Sequence, residues 1–214
     1  MTHRSTFYRR YGKRLLDIVL SVTALVLLAP LLLVVAILVR IYHGGPILFR
    51  QVRSGKNKQP FTILKFRTMT NECDADGVLL PDTQRLTRLG RFLRGTSIDE
   101  LPELWNVLVG DMSLIGPRPL LPQYDDFYSP RESMRFDLLP GITGLAQISG
   151  RNELGWNDRL EHDARYAEVY SFWFDVKVLL LTVIKVLRRD NVQVDPDLTV
   201  GKLDLERRQQ AASM

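Results

Sequence analysis

The sequence predicts a mainly α-helical protein with one small β-hairpin, held at a membrane by its N-terminal helix. Three observations lead there. From Ile18 to Val39 no residue carries a charge, and about 20 apolar residues are enough to cross a bilayer core. Two short alternating segments flank the polar stretch SGKNKQ, the pattern of a hairpin. Most other apolar residues recur at helical spacing. The 214 residues, 45% hydrophobic and 25% charged, suffice for a single core. They divide into a basic N-terminus with the apolar helix (1–40), a main body (41–190) and a polar C-terminal tail (191–214).

The apolar run is too long for a signal-peptide core and has no small-residue cleavage site before Arg40. Arg4, Arg9, Arg10, Lys13 and Arg14 precede it; Arg40, Arg50, Arg53, Lys56 and Lys58 follow. Basic flanks favour the cytoplasmic side, so both ends ask for the same face. Pro30 sits near the middle, where it removes a helix hydrogen bond and clashes with a carbonyl one turn back. A helix that bends at Pro30 and returns to its face of origin satisfies both flanks. A straight span that tolerates its proline is the alternative.

HGGP at 43–46 marks a turn. PILFRQVR and PFTILKFRTM then form the hairpin. In the second strand Phe61, Ile63, Lys65 and Arg67 share a face, with the two cations about 6.5 Å apart along it. They form either a phosphate seat or a solvated edge. Residues 71–84 read as a loop, and Leu86–Leu93 as a short basic helix. Ile98, Leu101, Leu104, Trp105, Leu108 and Val109 predict one amphipathic helix. GDMSLIGPRPLLP and LLPGITGLAQISGR read as rigid loops. Asn157–Tyr170 is helical, and an apolar helix follows from Ser171. Asp175, Lys177 and Lys185 make that last helix a poor span; it suits either a membrane interface or a core. The end, LERRQQAASM, reads as frayed.

A single cysteine, Cys73, and three scattered histidines, His3, His43 and His162, argue against a disulfide framework or a histidine metal cluster. A net charge of +5 admits nucleic acid, phosphorylated small molecules or an anionic membrane as partners. No P-loop, GxGxxG or GxSxG pattern occurs. Chemistry is concentrated instead in SIDELPEL, where Asp99 and Glu100 are adjacent. Ser97 and Glu100 have capping-box spacing, and Asp99 could itself cap a helix. A capping carboxylate is also held and exposed, so capping and chemistry are compatible. Arg118 lies between Pro117 and Pro119, a stiff mount for a guanidinium that reads phosphate, or for one that ties down the core.

KRLLDIVLSV, PILFRQVRSGKNKQPFTILKFRTM, LRGTSIDELPELWNVLVGDMSLIGPRPLLPQY and LPGITGLAQISGRN, in this order, strongly resemble the bacterial small monotopic phosphoglycosyl transferases, the catalytic unit of the bacterial sugar transferase family. The resemblance covers roughly Lys13 to Arg189. It implies a monotopic protein of the bacterial inner membrane, with a re-entrant helix broken at Pro30, interfacial amphipathic helices and a catalytic body facing the cytoplasm. It also implies the reaction of a UDP-sugar with undecaprenyl phosphate, releasing UMP, through a covalent aspartyl-phosphosugar intermediate. Asp99 matches the nucleophile and the magnesium contact, and Glu100 its partner in the dyad. Lys65, Arg94 and Arg118, with Arg67 and Arg151, match the cations that neutralise the diphosphate. The implied cofactor is Mg2+; the implied partners are inner-membrane lipids and later glycosyl transferases, not nucleic acid. Among members, the chain looks most like those that transfer phospho-diacetylbacillosamine or a related N-acetylated sugar. One departure is Ala29, where the family often carries serine before the helix-breaking proline. Two other readings stay open: a sugar-only transferase that releases UDP, and a basic membrane-surface or nucleic-acid-binding protein.

Overall fold

The protein is seen in a computed structural model that describes residues 7–150, 154–188 and 202–212. A π-helical turn at Tyr8–Gly12 leads into α1 (Lys13–His43). The helical backbone continues through Pro30, so the proline does not divide the segment into two helices. Burial is confined to the ends of α1: Asp17 and Ser21 near its start, Val35, Val39 and His43 near its finish. Between them Val22, Val26, Leu27 and Leu33 are exposed.

Both ends of α1 dock on the same body. Arg14 donates to the carbonyls of Val107 and Leu108 at 2.5 and 2.8 Å, and Asp17 accepts from the Leu114 amide at 3.0 Å. At the other end, Val35 and Val39 pack with Phe66 and Leu93, and His43 shares a 2.6 Å hydrogen bond with Thr87.

The predicted hairpin is present: β1 (Leu48–Ser54) pairs antiparallel with β2 (Pro60–Phe66), with Phe49 opposite Lys65 and Arg53 opposite Phe61. A short α2 (Asp82–Arg85) interrupts the expected loop. Next comes α3 (Arg88–Gly95), capped by the Thr87 hydroxyl, which accepts from the Gly90 amide. The single helix expected over Ile98–Val109 is a 3-10 turn at Ile98–Glu100 followed by α4 (Glu103–Val109). Pro102 explains the split, since it lacks the amide a continuous helix needs and its ring opposes the carbonyl one turn back.

Two segments expected to be loops contain a parallel pair, β3 (Ser113–Ile115) with β4 (Gly141–Thr143). Glycines permit the approach: a Cβ on Gly141 would meet the Gly116 amide nitrogen at 2.0 Å, and one on Gly144 the Gly116 carbonyl at 2.1 Å. Then follow α5 (Leu145–Ser149), α6 (Trp156–Val169) and α7 (Phe172–Arg188). Ile115, Tyr166 and Val178 form the core between β3, α6 and α7.

On α7, Asp175 is fully buried and gathers Tyr8, Lys13 and Tyr166 at 2.6, 2.8 and 2.7 Å. Trp173, Leu180, Val183, Ile184 and Leu187 are exposed, so α7 keeps an apolar face outside the core. The expected frayed end is corrected as well. Residues Leu203–Ala212 form α8, with Leu203 buried against Leu120, Tyr124, Trp156 and Leu160. Arg207 pairs with Glu132 at 2.6 Å. A leucine with four apolar neighbours outweighs the polar composition of the tail.

Candidate active site

The acidic pair stands on the 3-10 turn between α3 and α4. The capping box does not form: Ser97 takes a left-handed backbone, φ 57°, and no side chain caps the turn or α4. Released from capping, the two carboxylates face a group of cations. Glu100 Oε1 accepts from Lys65 Nζ at 2.6 Å and from Arg118 at 2.7 Å. Glu103, one turn along, is buried and approaches the same Lys65 Nζ at 3.2 Å. Asp99 is 8% exposed and its carboxylate makes no hydrogen bond or ion pair among the described residues.

Environment separates the three acids. For Glu100, burial opposes ionisation, but Arg118 and Lys65 overcome it through charge and hydrogen bonding and hold the carboxyl well below its usual range. Asp99 goes the other way: burial first, then the Glu100 charge, push it up to about 6 against Lys65, Arg94 and Arg118. Glu103 is pushed up to about 7 by burial, with Lys65 opposing. Arg118 is held firmly protonated, above all by Glu100. The arrangement is an ionised anchor, Glu100, that fixes two cations beside an uncommitted carboxylate, Asp99.

Lys65 reaches this group from β2, and Arg118 from the loop after β3. Arg94, on α3, donates through Nε to Thr68 Oγ1 at 3.1 Å and has Asp99 as its principal acidic neighbour. Arg67 is not brought to the site. The strand ends at Phe66, and the Arg67 guanidinium turns back to the carbonyls of His43, Gly45 and Met69 at 2.7, 2.6 and 3.0 Å. It closes the junction between α1 and β1. Arg151 lies outside the described residues.

Sequence reasoning missed three supports. Glu103 was legible, because positions three and four apart share a helix face. Arg53 lies on the hairpin face of Lys65, which only the strand register reveals. Arg135, buried with Asp163 at 3.2 Å, donates to the Arg118 carbonyl and so fixes the arginine loop from beneath. No sequence signal joins these distant positions.

Comparison with known proteins places the whole body in one family. The chain is 48% identical over 190 residues to an uncharacterized sugar transferase, EpsL, of Bacillus subtilis, covering 89% of this chain and 94% of that protein. It is 45% identical over 192 residues to the UDP-glucose:undecaprenyl-phosphate glucose-1-phosphate transferase of Caulobacter vibrioides, covering 84% of this chain and 71% of that protein. The Escherichia coli protein of the same description is 41% identical over 187 residues, covering 82% of this chain but 40% of that protein. The bacterial sugar transferase family model matches residues 8–189. The chain belongs to the bacterial sugar transferase family.

Proposed function

We propose that the protein transfers a sugar 1-phosphate from a UDP-sugar to undecaprenyl phosphate, releasing UMP, with Asp99 as the nucleophile. The observation that carries this reading is the Asp99 carboxylate itself: uncommitted, nearly buried, and flanked by cations fixed on Glu100. Relatives named as undecaprenyl-phosphate sugar phosphate transferases support the two substrates.

In the first step an Asp99 oxygen bonds to the sugar-bearing phosphorus, and the bond from that phosphorus to the bridging oxygen breaks. In the second, an oxygen of undecaprenyl phosphate bonds to the same phosphorus and Asp99 is released. Splitting one transfer into two lets each substrate meet the site in turn. Lys65, Arg94 and Arg118 offset the repulsion between a carboxylate and a diphosphate. Glu100, held ionised, orients Lys65 and Arg118 rather than carrying protons.

Magnesium fits the residues present. Among the described residues no three acidic, histidine or cysteine side chains gather into a metal cage, and magnesium characteristically uses one or two carboxylates with substrate phosphates and water. Of Asp99, Glu100 and Glu103, Asp99 is the one without an internal partner and would hold it; bound there, the ion would neutralise phosphate charge as a Lewis acid.

We read α1 as the re-entrant anchor, entering and leaving at the cytoplasmic face of the inner membrane. Its two docked ends, exposed apolar middle, central Pro30 and basic flanks support this. Ala29 offers no hydroxyl to the carbonyls freed by Pro30, so the re-entrant course rests on the proline and on the docked ends. The exposed apolar face of α7 lies in the interface. The lipid-linked product passes to later glycosyl transferases. Relatives named for glucose 1-phosphate transfer put UDP-glucose first among donors, with UDP-diacetylbacillosamine the N-acetylated candidate.

The test is UMP release from a panel of UDP-glucose, UDP-galactose and UDP-diacetylbacillosamine with undecaprenyl phosphate and magnesium. UMP appears with at least one donor, and Asp99→Asn abolishes it while the protein stays in the membrane fraction. UDP as the nucleotide product, or substantial turnover by Asp99→Asn, overturns the reading.

A further inference from the structure

A diphosphate presents two phosphates, and Lys65, Arg94 and Arg118 gather around Asp99 and Glu100. Arg94 stands beside Asp99, and Lys65 and Arg118 share Glu100. Beside Arg118 lies Arg53. It leaves β1 on the face that carries Lys65, since Arg53 is paired with Phe61 and Lys65 with Phe49. The next residue fastens β1 to the arginine loop: the Ser54 amide donates to the Leu120 carbonyl at 3.0 Å, and Ser54 Oγ to Asp125 at 2.7 Å. Ser54 and Gly55 line one cleft with Pro117, Arg118 and Pro119.

Arg53 is thus a cation set beside a cation. One of its terminal nitrogens donates to Gln51 Oε1 at 2.5 Å, its Nε is buried with no hydrogen-bond partner, and it forms no ion pair with a carboxylate among the described residues. Burial, then the Arg118 charge, lower its guanidinium to about 10. Its remaining charged or titratable neighbours are Glu103, Tyr124 and Tyr128. A desolvated cation with a like charge beside it and no acid bonded to it is stabilised when an anion arrives.

We propose that Arg53 binds the nucleoside-bearing phosphate of the donor, as the seat of the leaving UMP. This rests on the phosphoglycosyl transfer reading given above. Attack and departure are roughly in line at the transferred phosphorus, so the leaving oxygen stands away from Asp99, and Arg53, whose charged neighbours are Arg118 and Glu103 but not Asp99, is the cation left to meet it. As the Asp99 oxygen bonds to the sugar-bearing phosphorus, the bridging oxygen keeps the electron pair of its breaking bond and departs as part of the UMP phosphate. No proton is required. Negative charge grows on that oxygen, and a guanidinium fixed there favours the transition state over the bound donor.

The experiment uses the full chain in lipid nanodiscs, with the donor chosen by the UMP-release panel. In Arg53→Ala, kcat/KM for the donor falls at least about tenfold, and inhibition by added UMP weakens about as much, the scale of one charge-assisted contact. The kcat/KM for undecaprenyl phosphate, which reports only the second half-reaction, is unchanged, which a general loss of packing would not produce. Arg53→Lys, which keeps the charge and loses the fork, falls between wild type and Arg53→Ala and carries the test if the alanine variant does not fold. Wild-type UMP inhibition in an Arg53 variant that melts like wild type overturns the proposal while leaving the transfer reading intact. A wild-type protein that releases no UMP from any donor overturns both.

Discussion

Lys65 has two carboxylates within reach, Glu100 at 2.6 Å and Glu103 at 3.2 Å, and Glu100 is already served by Arg118. Glu103 is therefore the under-compensated acid, and burial raises it from an ordinary 4.5 to about 7. The folded state then binds this proton more tightly than the unfolded chain. Its contribution to stability is complete below the unfolded value and is lost as pH rises toward the folded one. Glu103→Gln removes that loss. Between about pH 5 and about pH 8 the melting temperature of Glu103→Gln should rise relative to wild type; a relative fall would mean that ionised Glu103 stabilises the fold. At this scale the sequence was informative about chemistry and misleading about capping. SIDELPEL displays its acids plainly, but the positive φ of Ser97 that withdraws them from capping has no glycine to announce it.

Elements place those residues. The hairpin and α3, α6 and α7 were legible because each carries an alternating or helical apolar pattern. The parallel β3–β4 pair was not, since three-residue strands have no period to read and the pairing depends on glycines 25 residues apart, Gly116 and Gly141. The docking of α8 was hidden for another reason: one leucine supplies the contact and the rest of the helix is polar. That docking matters to the site, because Leu203 packs on Leu120 and Tyr124, just past the arginine loop. Leu203→Ala should cost about 2–5 kcal/mol, seen as a lower midpoint in thermal or denaturant unfolding. A loss below about 1 kcal/mol would mean that the cluster closes without α8.

For the molecule as a whole, the apolar helix was evident from composition, whereas its two points of attachment depend on partners far along the chain. Tyr11 and Tyr42, 54% and 64% exposed, flank the apolar run and allow the proposed topology to be read. In a Cys73→Ser background, Tyr11→Cys and Tyr42→Cys should both react with a membrane-impermeant maleimide in inverted vesicles and both be shielded in intact spheroplasts. Labelling from opposite sides would leave α1 a straight span. Attachment also has an order in time. Lys13 meets Asp175 across 162 positions of sequence, and a ribosome adding about 5–20 residues per second needs on the order of ten to thirty seconds to cover that interval. Throughout it the apolar helix exists while the acid that secures its base has yet to be made. Biosynthesis therefore presents the apolar helix well before the body that holds its base is complete.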